Sequence, residues 1–545
     1  MRTPLTLLAA GVLALTGCGG DDADTPAPVA QTAASRCTAL TQTTLQATTL
    51  TAVYNAEGAA SSAGVGLAAH CLVEGKTNQR IGVDGKSYAI GFRLRLPDTW
   101  NGRLVFEGGG GNDGSLGAAT GPRVGTPPSG MVPALQQGWA VVNTDGGHTG
   151  GSGADFATDP QARIDHAYNA YDKTALNAKS VISALYGRVP DKSYFQGCSG
   201  GGRQGMMFTQ RFPNYFDGVI VHAPAMRVSS GATIAAMWNH IKLTAAAPLE
   251  NGAPILSKAL SNGDLTLMAN RILQQCDALD GVADGMVNHI QACRFDPAVL
   301  LCAGAKTDSC LSAAQVTAMK AVFDGPRDSA GTRLYAGQPT DPGIDQPGWR
   351  SWTLGSSTTA TPNSLYTLLM SDALRWEFFW PSDPGFDIMK FNFDVDPLRM
   401  QAESSIYDTY RDASLTPYKA RGGRLMILHG MADPIFNMND SIDYYERLSA
   451  NNGGVAATQS FARLYAIPGE NHCAGGRATD QIDALTAMVD WVERGRAPDR
   501  LLAAAATNHP LFPGRTRPLC PYPSYAKYNG SGSVEDAANF SCVAP

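Results

Sequence analysis

Ser199 stands in a pattern that is typical of a catalytic nucleophile, Gly-x-Ser-x-Gly at residues 197–201. Residues 193–196 before it have the composition of a β-strand, and residues 206–212 after it have that of a helix. A strand, a glycine-rich turn and a helix around a serine form a nucleophile elbow, in which the hydroxyl is exposed at the end of the strand. The pattern therefore predicts that Ser199 is a nucleophile, and the alternative is a purely structural glycine turn.

A serine hydroxyl is a weak nucleophile near neutral pH, so it needs a histidine base and an acid that orients the imidazole. His472 and Asp433 each lie in the loop that follows a predicted β-strand. The chain order Ser, Asp, His is that of the α/β-hydrolases. We therefore predict that Asp433 and His472 complete a triad with Ser199. Asp440 and Glu470 are alternatives for the acid.

Two cysteines flank the predicted nucleophile and base. Cys198 directly precedes Ser199, and Cys473 directly follows His472. A disulfide holds its two Cα atoms within about 7 Å of each other. A bond between Cys198 and Cys473 would therefore force nucleophile and base into the same small volume, and two free buried cysteines are the alternative.

The chain has eleven cysteines, and ten remain when Cys18 is set aside. An even number in an exported chain predicts five disulfides, although the sequence alone does not fix which cysteines pair. Proximity along the chain suggests four pairs and leaves Cys198 with Cys473. The four pairs are Cys37 with Cys71, Cys276 with Cys293, Cys302 with Cys310, and Cys520 with Cys542.

The first residues predict export. Arg2 is followed by an apolar run at 5–15, too short for a stable membrane anchor, which leads into Leu-Thr-Gly-Cys18. This ending resembles a bacterial lipobox, so we expect 1–18 to be a lipoprotein-type signal peptide with Cys18 lipidated, and ordinary signal cleavage is the alternative. Residues 19–36 have almost no large apolar side chain and are expected to be a flexible tether. The protein should then be periplasmic, secreted, or attached to the outer membrane of a bacterium.

The composition excludes several classes of protein. Apolar residues make up 44% and charged residues 17% of the 545 residues, which excludes a disordered chain and a multispanning membrane protein. The net charge is -6 and no basic run is present, so nucleic acid is not expected as a partner. We expect a soluble folded monomer, long enough for about three to four domain-sized units.

The predicted elements place the triad in an α/β core that a lid interrupts. β-rich and helical segments alternate before and after a long central stretch that lacks this alternation. We therefore divide the exported chain into a first core part at 37–227, a lid at 228–418 and a second core part at 419–545. The predicted strands are 93–96, 104–106, 139–143, 193–196, 219–222, 425–429 and 463–467, and the predicted helices are 171–186, 206–212, 440–448 and 482–493.

Three motifs resemble those of the tannase and feruloyl esterase family. They are Gly-Cys-Ser-x-Gly-Gly-Arg at 197–203, His-Gly-Met-Ala-Asp ending at Asp433, and Asn-His-Cys at 471–473. Segments in the lid and near the C-terminus match as well, among them Cys-Asp-Ala-Leu-Asp-Gly at 276–281. The sequence is identified as a member of this family, and it most resembles the family's hydrolases of terephthalate monoesters.

The resemblance implies an α/β-hydrolase fold with a large inserted lid, and it assigns the same triad. It also implies that the backbone N–H groups of Gly111 and Gly200 form the oxyanion hole, where negative charge develops during the reaction. Without the resemblance, the four glycines at 108–111 would indicate only a flexible turn. Trp352 and Phe436 match aromatic walls of the substrate pocket in this family.

An acidic segment in the predicted lid suits a hard metal ion. Asp277, Asp280 and Asp284 lie within eight residues and are separated by glycines that let the backbone curl, an arrangement suited to the oxygen ligands of calcium. A solvated acidic turn is the alternative from spacing alone. The resemblance implies one structural calcium, to which Val282 and Met286 contribute backbone carbonyls. No organic cofactor is expected.

The resemblance implies that the substrate is a small ester of an aromatic acid. Relatives that act on terephthalate monoesters hold the free carboxylate with a lid arginine, and the matching position here is Tyr366. Arg375 in the same segment is a candidate to supply the charge instead.

We therefore predict a serine carboxylic ester hydrolase that works through an acyl-enzyme. Mono(2-hydroxyethyl) terephthalate is a candidate substrate, and neutral ferulate or gallate esters are the alternative. A binding protein that has kept the fold without turnover is the other class, and the complete triad argues against it.

Overall fold

The structure is a computed structural model, and it describes residues 31–62, 65–122, 124–128 and 130–545. The predicted signal peptide and Cys18 lie outside the described residues. In the part of the chain that is described, no helix has both the length and the apolar character that crossing a membrane requires.

A nine-stranded mixed β-sheet forms the centre of the fold. Its strands are, in chain order, β1 Thr48–Asn55, β2 His70–Ile81, β3 Ser87–Pro97, β4 Arg103–Glu107, β5 Ala140–Thr144, β6 Lys192–Cys198, β7 Gly218–His222, β8 Arg424–Gly430 and β9 Ala462–Ile467. Across the sheet they lie in the order β1-β2-β3-β5-β4-β6-β7-β8-β9. The first four strands of this order pair antiparallel, and the remaining neighbours pair parallel.

Helices cover this sheet and build most of the segment between β7 and β8. In the described residues they are α1 Ala33–Ala39, α2 Pro160–Ile164, α3 Ala170–Tyr186, α4 Gly200–Gln210, α5 Thr233–Ala246, α6 Asn262–Cys276, α7 Ala313–Asp324, α8 Pro347–Thr353, α9 Leu365–Ala373, α10 Asp396–Arg399, α11 Gln401–Tyr407, α12 Thr416–Ala420, α13 Met438–Asn451, α14 Val455–Gln459 and α15 Ala484–Arg494. Short strands form small separate sheets at Ser61–Ser62, Val65–Gly66, Leu249–Glu250, Ala253–Pro254, Gln481–Ile482, Leu501–Ala504, Thr516–Leu519, Tyr525–Tyr528 and Phe540–Val543.

The parallel strands are buried on both faces, which explains the apolar runs within β7 and β8. Every residue of β7 is buried, as is every residue of β8 except its first. Phe106 and Phe195 pack on one face of the sheet with Phe208 of α4, while Val105 and Tyr194 pack on the other face with residues of α15. A mixed sheet whose parallel part has helices on both faces confirms the predicted α/β-hydrolase class.

A long insertion separates two strands that are neighbours in the sheet. β7 pairs directly with β8, so residues 223–423 leave the sheet and return to it beside the same strand. The insertion has an apolar core of its own, which includes Met268 and Trp349. A second apolar cluster joins Ile234 and Phe378 of the insertion to Phe436, in the loop after β8. The lid is therefore packed against the core at the carboxyl end of the strands.

Five disulfides join the ten cysteines of the described residues, and the pairs are those predicted from the sequence. Two of them lie in the lid, at Cys276–Cys293 and Cys302–Cys310. Such bonds persist in oxidising compartments and are rare in the cytosol. They indicate an exported protein.

Candidate active site

Ser199 occupies a sharp turn between strand β6 and helix α4. Its φ of 62° and ψ of -124° are a conformation that residues with a side chain rarely adopt. The Ser199 N–H donates to the His222 carbonyl at 3.0 Å, which anchors the turn to β7. A Cβ at Gly197 would lie 2.7 Å from the backbone of Gly201, so only glycine fits where strand and helix cross. This strained turn leaves Ser199 partly exposed, as a nucleophile elbow requires.

A hydrogen bond of 2.8 Å joins His472 Nδ1 to Asp433 Oδ2. Asp433 lies in the loop after β8 and His472 in the loop after β9, and these two strands are parallel neighbours. The side chain of Asp433 is fully buried and that of His472 nearly so. The bond keeps a proton on Nδ1, which leaves Nε2 as the nitrogen that can accept one.

The groups around Asp433 keep its carboxylate ionised. Oδ1 accepts the N–H groups of Ile435 at 2.8 Å and Phe436 at 3.1 Å, and His429 Nε2 lies 3.5 Å from Oδ2. Burial alone would raise the pKa of Asp433, but the charge of His472 and the hydrogen bonds from both histidines hold this pKa well below its ordinary value. An ionised acid at this position can stabilise the imidazolium form of His472.

The two alternative acids have other partners. Glu470 Oε2 is 2.8 Å from His222 Nε2, and both side chains are buried. Asp440 lies in the first turn of α13, where Arg227 Nη1 is 4.0 Å away. Of the three acids, Asp433 is the one within hydrogen-bond distance of His472.

The Cys198–Cys473 disulfide holds the nucleophile segment against the base segment. Its Cα atoms are 6.1 Å apart, although the two cysteines are separated by 275 positions in the sequence. Because these cysteines directly flank Ser199 and His472, the bond places the two functional residues next to each other. In the described residues His472 bonds to Asp433 rather than to the serine hydroxyl. Nucleophile-to-base bonds of this kind are often longer without substrate.

The two predicted oxyanion donors, Gly111 and Gly200, lie side by side. A Cβ at Gly200 would be 2.8 Å from the Gly111 carbonyl oxygen and 3.5 Å from the Gly111 nitrogen. Gly111 has a φ of 58°, which favours glycine. Gly200 is the first residue of α4, where N–H groups lack partners within the helix and carry the positive end of its dipole. Both positions are suited to receive an oxyanion.

Gln204, which was not predicted from the sequence, holds the glycine loop against α4. Its Oε1 accepts the Gly109 N–H at 3.1 Å, and its Nε2 donates to Asp113 Oδ2 at 2.8 Å. The Asp113 N–H in turn donates to the Gly110 carbonyl at 3.0 Å. Gln204 is four residues after Gly200 and so lies on the same face of the helix. That spacing is the one sequence signal that could have identified it.

Aromatic side chains from lid and core flank His472. The centroids of the Trp352 and Phe436 rings lie 5.2 and 5.5 Å from the centroid of the His472 ring. Trp352 belongs to α8 in the lid, and Phe436 follows β8 in the core. Apolar faces therefore border the base on both sides.

Tyr366, where the resemblance would place an arginine, is a buried residue of α9. Its hydroxyl donates to the Ala232 carbonyl at 2.6 Å. Burial and, to a smaller extent, the charge of Asp433 raise the pKa of Tyr366 well above its ordinary value. The ring thus lies near the triad but offers no cation to a substrate.

Arg375 is not brought to the triad. Its Nε donates to the Phe386 carbonyl at 3.0 Å, and its side chain lines a cavity of the lid that Trp352 and Phe436 do not line. The preceding residue, Leu374, is fully buried in the apolar cluster between lid and core, so Arg375 follows on a different side of the helical turn. The predicted substrate clamp at Arg375 therefore does not face the aromatic walls.

Asp277, Asp280 and Asp284 lie together in a tight loop of the lid. Oxygens of Asp277 accept the Gly285 N–H at 2.9 Å, and Asp280 accepts Nδ2 of Asn288 at 2.7 Å. Burial raises the pKa of Asp277 and Asp280, the latter to about 6, and the charge of Asp284 raises both further.

The acidic loop has few compensating charges. Asp284 pairs with Arg517 and Arg515, whereas no cationic side chain pairs with Asp277 or Asp280 in the described residues. As placed, the His, Cys, Asp and Glu side chains of the described residues form no group of three that could hold a metal ion. The donor set itself, buried carboxylates around glycines with positive φ, fits the chemistry of calcium.

Three comparisons with known proteins agree with this geometry. The family model described as "Tannase and feruloyl esterase" matches residues 71–543. The mono(2-hydroxyethyl) terephthalate hydrolase of Piscinibacter sakaiensis is 43% identical over 532 residues, which cover 89% of this chain and 87% of that protein. The crystal structure of feruloyl esterase B from Aspergillus oryzae has a TM-score of 0.78 at 26% identity, and the match covers 94% of this chain and 100% of that one. A tannin acyl hydrolase from Aspergillus niger, at 24% identity and a TM-score of 0.71, shares the fold over 94% of this chain and 96% of its own.

Proposed function

Since this chain belongs to the tannase and feruloyl esterase family and is a carboxylic ester hydrolase, we propose that it cleaves esters of aromatic acids through an acyl-enzyme on Ser199. The observation that carries the proposal is the joint placement of the triad. Asp433 bonds to His472 at 2.8 Å, and a disulfide with a Cα separation of 6.1 Å holds His472 beside Ser199.

In the first half-reaction the Ser199 oxygen attacks the ester carbonyl carbon while His472 Nε2 takes the hydroxyl proton. The hydrogen bond from Nδ1 to Asp433 keeps the imidazole in the required tautomer and stabilises its charged form. The C–O bond to the alcohol then breaks, and His472 returns the proton to the departing alkoxide.

In the second half-reaction water takes the place of the alcohol. His472 removes a proton from the water as the water oxygen attacks the acyl carbon. It then returns this proton to the Ser199 oxygen as the bond between that oxygen and the acyl carbon breaks and the acid is released. In both halves the negative oxygen of the tetrahedral intermediate is held by the N–H groups of Gly111 and Gly200. A single donor of this kind contributes roughly 3–4 kcal/mol to transition-state stabilisation in comparable enzymes.

Two substrate classes fit the aromatic walls at Trp352 and Phe436. The relative named for mono(2-hydroxyethyl) terephthalate supports a terephthalate monoester. Tyr366 favours the second class, neutral ferulate or gallate esters, because its hydroxyl is bonded to Ala232 and it carries no positive charge for a free carboxylate.

The experiment is a panel of mono(2-hydroxyethyl) terephthalate, methyl ferulate and methyl gallate with the purified chain and its Ser199→Ala variant. Release of the aromatic acid is followed by chromatography. We expect turnover of at least one ester by the unchanged chain and a loss of about 10³-fold or more in the variant. Equal rates for both proteins would overturn the proposed nucleophile, and higher kcat/KM for the neutral esters would select the second class.

We also propose that Asp277, Asp280 and Asp284 hold one calcium ion, with the carbonyls of Val282 and Met286 as further ligands. Asp277 and Asp280 support this assignment, because both are buried and neither is paired with a cationic side chain among the residues that the structure describes. When bound, the ion would supply positive charge that lets this loop keep its fold. The loop makes no contact with the triad residues in the described hydrogen bonds, so the role is structural.

For the exported protein we propose that Cys18 is lipidated and that the residues between it and helix α1 form its tether. The predicted end of the tether at residue 36 is too late, because α1 begins at Ala33. The Leu-Thr-Gly-Cys sequence supports this assignment. Mass spectrometry of the mature N-terminus tests it: a diacylglyceryl group on Cys18 is expected, and a mature chain that begins after Cys18 would contradict it.

A further inference from the structure

A cavity of about 400 Å³ opens in the lid, apart from the aromatic walls of the triad. It lies between helices α5 and α9 and the segment at 388–389. Its walls are largely apolar and include Leu256, Leu368, Ile388 and Met389. The volume falls within the range of about 300–1,000 Å³ that is usual for small-molecule sites.

Arg375 brings an unpaired positive charge to this cavity. The side chain is half-buried, and its Nε donates to the Phe386 carbonyl at 3.0 Å. In the described residues no carboxylate lies within ion-pair distance of the guanidinium. Asp383, whose N–H donates to the Arg375 carbonyl at 2.8 Å, pairs with Arg399, and Asp387, which follows Phe386, pairs with Lys390. Asp372 accepts the Ala154 N–H at 2.7 Å, and Glu377 pairs with His166. The two terminal nitrogens of Arg375 remain as donors.

His240 adds a second donor from a different helix. It is only 6% exposed, and its Nδ1 lies 3.4 Å from the hydroxyl of Thr367. That hydroxyl accepts a hydrogen bond from Ser364 at 2.7 Å, so its own proton is directed at His240 Nδ1. Burial lowers the pKa of His240 to about 4, so the ring is neutral at physiological pH and carries its proton on Nε2. That N–H has no protein acceptor in the described hydrogen bonds.

We propose that this lid cavity binds a small aromatic monocarboxylate, with the carboxylate on Arg375 and His240 and the ring on the apolar walls. A planar guanidinium presents parallel N–H donors that match a carboxylate, and the neutral imidazole adds a donor without adding charge. The apolar walls distinguish such a ligand from an inorganic anion. This site is separate from the esterase site and does not depend on the proposed ester substrate.

Titration calorimetry with benzoate tests the proposal on enzyme whose Ser199 has first been blocked by an aryl phosphonate. Saturable binding should persist in the blocked enzyme, because the phosphonate occupies the triad and not the lid cavity. Arg375→Met should weaken this binding about tenfold or more through loss of a charge-assisted pair. His240→Phe should weaken it by a smaller factor.

Lys390→Met is the matched control, since it removes one positive charge beside Met389 from a side chain that is 81% exposed and does not line the cavity. It should leave benzoate affinity within about twofold of the parent. Acetate should bind more weakly than benzoate, because it cannot cover the apolar walls.

Three results would overturn the proposal. They are loss of benzoate binding on phosphonate treatment, equal weakening by Arg375→Met and Lys390→Met, and absence of saturable binding in the unmodified enzyme. Binding of inorganic phosphate as tight as that of benzoate would also count against it, since it would show a plain anion site.

Discussion

Replacing both Cys198 and Cys473 by alanine is expected to lower kcat per folded molecule by about a hundredfold. The disulfide is the covalent link between the segment that carries Ser199 and the segment that carries His472, with Cα atoms 6.1 Å apart. Without it the two segments are aligned by non-covalent contacts, namely strand pairing, the Glu470–His222 contact at 2.8 Å and the hydrogen bond from His472 to Asp433. A displacement of about 1 Å between nucleophile and base costs on the order of 10² in rate.

The same change will also lower stability, and the structure gives a scale for this effect. The bond spans 275 positions, for which the chain-entropy relation gives roughly 5–6 kcal/mol. Cys302–Cys310 spans 8 positions, and the same relation gives about 2.5 kcal/mol. Cys302→Ala/Cys310→Ala is the matched control, because it also removes one disulfide but lies in the lid.

The assay combines urea unfolding with initial rates on methyl ferulate at low temperature. Near-UV circular dichroism gives the folded fraction, so that the rate is expressed per folded molecule. The Cys302–Cys310 variant should lose stability and keep its rate. If the Cys198–Cys473 variant also keeps its rate per folded molecule, the disulfide stabilises the fold and does not align the catalytic residues.

Three further predictions concern single charges. Asp433→Asn should lower kcat by about 10⁴ with little change in KM, because the Nδ1 proton loses its ionised acceptor, and an unchanged kcat would return the acid role to Glu470. Asp145 directly follows strand β5, and burial raises its pKa to about 7, so the folded state keeps a proton at pH values where the unfolded state has lost it. The free energy of unfolding should therefore fall by up to about 4 kcal/mol between pH 4 and 7. Asp145→Asn keeps the Oδ1 that accepts from Gly91, and urea titrations at both pH values should show that most of this fall disappears. Chelation should release about one calcium per chain and lower the melting temperature by several degrees, whereas Asp280→Asn should show a lowered melting temperature that chelation no longer changes.

The parts of the site that could be predicted are those that local sequence encodes. The elbow at Ser199 needs glycines at fixed offsets, and the loops of Asp433 and His472 follow strands whose apolar runs are visible in the sequence. The cysteines added a long-range constraint, since two residues adjacent to the proposed nucleophile and base had to meet. Hydrophobic periodicity predicts only local helices and strands. In this chain the positions of the two cysteines predicted which distant segments are in contact.

The parts that could not be predicted depend on the packing of distant segments. Gln204 braces the glycine loop only because that loop, almost a hundred residues earlier in the chain, lies over α4. Arg375 was a candidate because it lies in the same lid segment as Tyr366. A helical turn changes direction by about 100° per residue, however, and the neighbouring Leu374 takes the side that faces the core. Strand β2 lies between two antiparallel partners. Its own sequence mixes polar and apolar residues, so no continuous apolar run indicates it.

The oxyanion loop allows a direct test of how closely this site is fitted together. A methyl group at Gly200 would lie 2.8 Å from the Gly111 carbonyl oxygen and 3.5 Å from the Gly111 nitrogen, so Gly200→Ala must displace Gly111, the residue whose N–H is proposed to hold the oxyanion. Gly110, one residue earlier in the same loop, has nothing within 4 Å of its Cβ position and has no positive φ, so Gly110→Ala changes the loop's composition without a clash. We therefore expect Gly200→Ala to lower kcat by about 10²–10³ with little change in KM, since the donor acts on charge that develops only in the transition state. Gly110→Ala should stay close to the parent. If both variants retain the parental kcat, Gly111 does not contribute an oxyanion donor, and the stabilising N–H groups must come from α4 alone.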